Sequence, residues 1–273
     1  MQISFSGRLG SGKSTVCAIL KEKFGYEIYS TGTVQRKIAE EMGITTLELN
    51  KRMMSDPELD HVIDDTVTRI SRERKGDKLI FDSRMAWHFA EDTFKVYMYV
   101  DPTVAAKRVF AADRGSVEKY ESVEDAREQL LARTYEENKR YKAIYGVDNL
   151  DFSNYDLIID STLATPDDIA NEIIEGAKAY ESKRYEQTKL MLAPTSILPT
   201  KCMHCDDSDD SIKITFKNGL PYCTCGHKAL AKALSVHTIL TSVVLNSEDF
   251  DFAHSADIIT EYENAFKVTY ESK

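Results

Sequence analysis

The segment Gly7-Arg8-Leu9-Gly10-Ser11-Gly12-Lys13-Ser14-Thr15 constrains this chain more narrowly than any other. It fits G-x-x-x-x-G-K-[ST] at every fixed position, a pattern that carries weight only between a strand and a helix. That context is present. Gln2 to Ser6 reads as a strand, and Val16, Ile19, Leu20 and Phe24 recur at helical spacing after the motif. Gly7, Gly10 and Gly12 let the backbone curl until successive N–H groups, Ser11's among them, face an anion. A helix beginning at about Lys13 adds its positive end. Lys13 neutralises terminal phosphates, the Ser14 hydroxyl is placed for Mg²⁺, and Thr15 completes the motif. Such a loop is built to hold a nucleotide triphosphate.

Around it, strand-like and helix-like segments alternate over residues 1–182. Strands are expected at 2–6, 26–30, 78–82, 95–100 and 155–160, and helices at 13–23, 33–42, 57–74, 102–113, 122–144 and 166–182. Asp101-Pro102 and Thr165-Pro166 mark two helix starts. This alternation predicts an α/β fold of three layers with a five-stranded parallel sheet. The texture changes at 183–192. Beyond lie a Pro- and Ser-containing stretch, the acidic patch Asp206 to Asp210, a strand at 212–216, an Asn218-Gly219 turn, a helix at 228–234 and a β-branched run at 238–245. The expected division is a nucleotide-binding domain over 1–184 and a small α+β accessory domain over 190–273.

Composition excludes several classes. A net charge of −10 from 35 Lys+Arg and 45 Asp+Glu argues against a general nucleic-acid coat, so any anionic substrate must be held by individually placed cations. No apolar run approaches a membrane span, and Met1 leads straight into a strand with no room for a signal peptide. Five cysteines, odd in number and mostly bunched, are unlike a disulfide framework. The expectation is a cytoplasmic enzyme acting on small-molecule nucleotides.

Two further groups of residues complete the expected site. Asp82 ends the strand-like Leu79-Ile80-Phe81, where an acid can hold Mg²⁺ in the crevice of an α/β sheet; a helix cap is the alternative role. Arg36, Arg84, Arg108, Arg114, Arg133 and Arg140 each follow a strand end or border the cleft, and planar guanidinium groups suit bidentate phosphate contacts.

Several ordered strings resemble the archaeal-type cytidylate kinases and their bacterial cytidylate kinase-like relatives over about residues 1–180. After the phosphate loop come Tyr29-Ser30-Thr31-Gly32 with Arg36, then Asp56-Pro57-Glu58-Leu59-Asp60 with Ile63-Asp64, and Asp82-Ser83-Arg84-Met85-Ala86-Trp87. Arg140-Tyr141-Lys142-Ala143-Ile144-Tyr145-Gly146-Val147-Asp148 and Tyr155-Asp156-Leu157-Ile158-Ile159-Asp160-Ser161 follow. The resemblance implies phosphoryl transfer from ATP to CMP or dCMP. It implies that Ser30 and Gly32 lie on the nucleoside side, that Arg36 and Arg84 hold the acceptor phosphate, and that Arg114, Arg133 and Arg140 belong to a closing lid. The chain departs from the family pattern at Thr134, where an acid is expected, at Asp82-Ser83-Arg84 in place of Glu-Gly-Arg, and in an insertion-like Gly115 to Tyr120. A nucleotide-dependent switch signalling through the C-terminal unit, or a kinase of another small metabolite, are the alternatives.

The C-terminal unit supports two readings. Cys202-Met203-His204-Cys205 followed by Cys223-Thr224-Cys225-Gly226-His227 approximates a four-ligand zinc site, with Cys202, Cys205, Cys223 and Cys225 as the candidate ligands, though the second pair is Cys-x-Cys. Gly226-His227-Lys228 with the helix and strand after it resembles the phosphate-binding helix start of the ParB/sulfiredoxin superfamily, with Lys228 in place of Arg. The unit's own partner is not indicated.

Overall fold

Parallel strands covered on both faces call for nearly continuous apolar runs. Leu79-Ile80-Phe81, Val96 to Tyr99 and Leu157-Ile158-Ile159 supply them, whereas Gln2–Gly7 buries Gln2, Ser4 and Ser6 around Ile3 and Phe5. Strands β1 (Gln2–Gly7) and β5 (Leu157–Asp160) are buried throughout, and β3 (Leu79–Asp82) and β4 (Thr93–Tyr99) almost so, while β2 (Glu27–Ser30) is a partly exposed edge. The computed structural model describes residues 1–44, 49, 52, 58–112, 120–183, 188–203, 210–246 and 256–270. In it these strands form an all-parallel array in the order β2-β3-β1-β4-β5.

Between the strands run α1 (Lys13–Phe24), α2 (Thr31–Glu41), α3 (Glu58–Glu73), the short α4 (Ala86–Phe89), α5 (Pro102–Ala111), α6 (Val123–Tyr145) and α7 (Pro166–Glu181). Side chains satisfy the free N–H groups at several starts. Ser30 caps α2, Asp101 caps α5 ahead of Pro102, Ser122 caps α6, and Thr165 with Asp168 forms a capping box on α7. All five strands and six helices expected in this part are found, with ends shifted by one or two residues.

Alternation along β4 divides the core. Phe94, Val96 and Met98 join Ile3, Phe5, Leu157 and Ile159 beneath α1 and α7, with Val16, Leu20 and Ile173 packed against them. Tyr97 and Tyr99 turn with Ile158 to the other face. There they meet Trp87, Leu230, Leu234, Ile259 and Tyr262 in one apolar cluster. The C-terminal residues therefore cover a face of the N-terminal sheet.

They also lengthen that sheet. The apolar end of the expected boundary, Lys189–Leu192, forms β6 and pairs parallel with β5. Next come β9 (Thr241–Leu245), antiparallel to β6, then β7 (Lys213–Lys217), parallel to β9, and β8 (Leu220–Cys225), antiparallel to β7. Among the described residues the order is β2-β3-β1-β4-β5-β6-β9-β7-β8. Helix α8 (His227–Ser235) fulfils the expected helix, whereas β6, β8 and α9 (Ala256–Phe266) were not foreseen. Each is short or weakly patterned, and β6 is recognisable only because β5 offers it a hydrogen-bonding edge.

His227 is fully buried, and its Nε2 accepts from the backbone N–H groups of Thr200 (3.3 Å) and Lys201 (3.2 Å). Cys223 is buried in β8 and Cys202 is exposed, while Cys205 lies outside the described residues. Among the described residues no group of three or more His, Cys, Asp and Glu side chains could hold a metal ion. Nor is any described helix long and apolar enough to cross a membrane.

Because Trp87, the only tryptophan, shares its cluster with α8 and α9, it should report on the C-terminal residues. Leu230→Ala should cost about 2–5 kcal/mol and shift the tryptophan fluorescence and circular dichroism midpoints of urea unfolding together. A separate C-terminal transition to which Trp87 fluorescence is blind would contradict this.

Candidate active site

The phosphate loop hangs between the end of β1 and the start of α1. Its first turn is closed by main-chain bonds from Arg8 N to Met98 O (3.1 Å) and from Ser11 N to Arg8 O (3.3 Å). Gly10 (φ +77°) and Gly12 (φ +85°) adopt left-handed conformations, and a Cβ on Gly10 would lie 2.8 Å from the Ala105 carbonyl oxygen. The loop is thus pressed against α5 at a point that only glycine fits. Lys13 opens α1, and Ser14 and Thr15 are exposed on its first turn.

Asp82 ends β3, and its carboxylate pairs with the Lys13 ammonium. Register explains the meeting. β1 and β3 are parallel neighbours, so the loops at their carboxyl ends open on the same side. Asp82 is also opposite Ser30 across the β2–β3 pairing, which brings the expected metal ligand beside the expected nucleoside-side residue. The helix-cap alternative for Asp82 does not describe what is seen, since α4 has Met85 at its N-cap and no side-chain bond there. Beneath the loop, burial pushes the Cys17 thiol up to about 12, with the Asp82 charge adding to the effect and Lys13 opposing it. At neutral pH it is an apolar packing residue.

Two residues beyond Asp82, Arg84 lies half-buried in the same crevice. Its carbonyl accepts from the Ser6 hydroxyl at 3.2 Å, tying the loop after β3 to the end of β1. Its guanidinium pairs with Glu137 on α6, and Glu137 also accepts from Arg133 Nε at 3.0 Å. One carboxylate therefore holds the expected acceptor arginine and an expected lid arginine together. Burial, and more weakly the like charge of Arg133, hold Arg84 below its ordinary value, although no accessible pH discharges a guanidinium.

Glu137 is the residue the sequence reading missed. Its one signal was the i, i+4 spacing from Arg133, a spacing common on any charged helix. At the position where an acid was expected, Thr134 instead donates its hydroxyl to the Leu130 carbonyl at 2.8 Å.

The remaining expected residues are placed as follows. Ser30 caps α2 by accepting from Thr33 N (3.2 Å), and Arg36 is exposed one turn on, donating to Thr33 Oγ1 at 3.1 Å. Gly32 lies under the Arg36 guanidinium, since a Cβ there would stand 3.7 Å from Nη1. Arg140 is exposed on α6, and Arg108 on α5 binds the Ser161 carbonyl (2.7 Å) beside β5. Arg114 falls outside the described residues.

The long string from Arg140 to Asp148 is largely a structural joint. Tyr145 donates to Asp64 Oδ2 (2.7 Å), and Asp148 accepts from Asn138 Nδ2 (2.9 Å) and pairs with Lys142 (2.7 Å). Just beyond it, Asn149 Oδ1 accepts from Trp87 Nε1 and from Tyr155 OH, both at 2.7 Å. These contacts clamp α6 to α3 and to the loop carrying Arg84.

Comparison with known proteins agrees with this geometry. The model of the cytidylate kinase-like family matches residues 2–163. A cytidylate kinase of Natronomonas pharaonis is 36% identical over 182 residues, covering 66% of this chain and 91% of that protein. One from Methanothrix thermoacetophila is 35% identical over 161 residues, covering 59% and 88%. An S-adenosylmethionine-dependent nucleotide dehydratase of Lacinutrix mariniflava is 33% identical over 175 residues, which are 64% of this chain but 35% of that protein. Among solved structures, an uncharacterized protein from Eubacterium ventriosum shares the fold with a TM-score of 0.51 and 15% identity, covering 66% of this chain and 99% of its own. With a phosphate loop, a strand-end acid and paired arginines in one crevice, the chain belongs to the cytidylate kinase-like family of nucleotide kinases.

Proposed function

We propose that this chain transfers the γ-phosphoryl group of ATP to a nucleoside monophosphate, CMP or dCMP, giving ADP and the nucleoside diphosphate. The observation that carries the reading is the placement of Lys13 and Arg84 in one crevice, each already holding a carboxylate, at the ends of neighbouring strands. One cation faces the phosphate loop and the other lies two residues beyond Asp82, so two phosphorylated substrates can meet end to end. Phosphoryl transfer demands little covalent work from a protein. It needs the two anions in line, their charge neutralised and water excluded.

In this reading the N–H groups of Gly10 to Ser14 and the start of α1 cradle the donor's phosphates, with Lys13 on the outer ones. Lys13 then exchanges Asp82 for phosphate. The exchange leaves the carboxylate for Mg²⁺, which Asp82 and the Ser14 hydroxyl would hold. Both are hard oxygen donors of the kind that ion prefers, and bound there it supplies charge neutralisation of the donor phosphates. Arg84 takes the acceptor phosphate, assisted by Arg36. Arg133, Arg140 and Arg114 supply positive charge from the lid side as the site closes.

A phosphate monoester with charge of about −1.5 to −2 competes well for the two arginines now sharing one Glu137 carboxylate. Residues 1–184 carry this chemistry, and 190–273 form an accessory unit built on the β5 edge. Cys17, Cys202, Cys223 and Cys225 form no disulfide among the described residues, which suits a reducing cytoplasm.

The deciding experiment offers the protein Mg²⁺-ATP with a panel of nucleoside monophosphates and follows ADP. Stimulation by CMP and dCMP above the others is expected. Slow hydrolysis indifferent to every acceptor would indicate a nucleotide switch, and stimulation only by a non-nucleotide would indicate another acceptor. Lys13→Ala should lower kcat by at least ~100-fold, because the developing phosphoryl charge loses its fixed neutralising partner. Arg84→Lys keeps the charge but loses the planar fork. It should raise the monophosphate KM about tenfold while leaving ATP affinity within about twofold. Equal losses for both substrates would place Arg84 outside the acceptor site.

A further inference from the structure

Arg8 occupies a position that the phosphate-loop motif leaves open, yet it is buried, with 8% of its surface exposed. Its main chain makes the first turn of the loop through Met98 O and Ser11 N. Its side chain lies over the Tyr99 ring, 4.4 Å from the centroid, and donates from Nη1 to the Val100 carbonyl at 3.1 Å. From Nη2 it donates at 2.5 Å to the carbonyl of Gly219, a residue 211 positions away.

Gly219 belongs to the two-residue turn between β7 and β8. It is left-handed (φ +77°), and a Cβ there would lie 2.7 Å from Arg8 Nη2. The turn is therefore shaped to receive the guanidinium. A buried permanent charge must keep its hydrogen-bond acceptors, and one of those serving Arg8 comes from the C-terminal unit.

A second tie reaches the same end of the sheet. Asp160, the last residue of β5, accepts from Ala193 N at 3.1 Å, and the Ser196 hydroxyl is 3.2 Å from that of Thr162. Both ties thus meet the loops after β1, β4 and β5, on the side of the crevice that holds the phosphate loop. The acceptor-side arginines are tied elsewhere, Arg36 to Thr33 and Arg84 to Glu137.

We propose that the Asn218–Gly219 turn is a positioning element for ATP, and that Arg8 is the latch through which the C-terminal unit holds the phosphate loop in its anion-receiving shape. This rests on the reading of the loop as an ATP site. Arg8 touches no reacting atom in this scheme. It acts through the loop whose turn its own main chain forms, so its loss should fall on the donor and spare the acceptor.

The test compares full-length Arg8→Ala, Arg8→Lys and Gly219→Ala proteins with Ile259→Ala, which loosens the C-terminal part of the apolar cluster and removes none of the hydrogen bonds of Arg8. Affinity for a fluorescent ATP analogue, the KM of each substrate and the melting temperature are read for each. Arg8→Ala and Gly219→Ala should weaken the analogue and raise the ATP KM about tenfold or more, because a loop displaced by an ångström loses its aligned donors. The monophosphate KM should stay within about twofold. Arg8→Lys, which can keep one of the two carbonyl bonds, should fall between, and Ile259→Ala should lower the melting temperature with the analogue bound as before.

Wild-type affinity in folded Arg8→Ala and Gly219→Ala proteins would overturn the proposal. So would an equal loss of affinity in Ile259→Ala at the same loss of melting temperature. If Arg8→Ala does not fold, Arg8→Lys and Gly219→Ala carry the comparison. A wild-type protein that binds the analogue but phosphorylates no monophosphate would sink the kinase reading alone, since the latch is still read by binding.

Discussion

Parallel pairing of β1 with β3 is the constraint on which the rest of the site depends. Strands that run the same way finish at the same edge of the sheet, so the loop after β1 and the loop after β3 share one crevice. Lys13 meets Asp82 there, and the Ser6 hydroxyl holds the carbonyl of Arg84. Antiparallel neighbours would have sent the two loops to opposite ends, separating Lys13 from Asp82 and from Arg84. Capped helices and alternating core residues maintain that pairing under both faces of the sheet.

Charge is handled by pairing rather than by exposure. Two guanidinium groups repel, yet Arg84 and Arg133 lie close because one carboxylate, Glu137, serves both. Such an arrangement keeps cations poised at a low dielectric cost and leaves them open to exchange for a more strongly charged ligand. Arg8 is a different solution. Carbonyl oxygens on Nη1 and Nη2 and the face of Tyr99 hold it, partners that a phosphate does not replace, which suits a fixed support better than a substrate contact.

The family match ends at residue 163, and the residues beyond it do more than follow the kinase fold. Strand β6 adds to the β5 edge, and an unprotected edge is a place where chains associate. Residues of helices α8 and α9 join Tyr97, Tyr99 and Ile158 in one apolar cluster on the sheet face away from α1 and α7. Residues far apart in the chain thereby complete a core that the first 160 residues leave half covered.

The order of strands and helices through residue 182, the phosphate loop, and Lys13, Asp82 and Arg84 as candidates for one crevice were legible in the sequence. They rest on local physics, namely apolar periodicity, helix capping and a backbone conformation open to glycine. The family strings were equally legible, although much of the Arg140 to Asp148 string proved to join α6 to its neighbours. Glu137, β6 and the Arg8–Gly219 contact were not legible. Glu137 looks like any solvated helix acid, Lys189–Leu192 is four residues long, and Arg8 stands where the motif accepts anything. Their roles come from partners supplied by distant parts of the chain. Sequence by itself determined that a phosphate-loop motif would stand at the end of β1. Only the tertiary structure decided what holds that loop, because a buried charge is satisfied by whichever groups the fold brings within hydrogen-bonding distance.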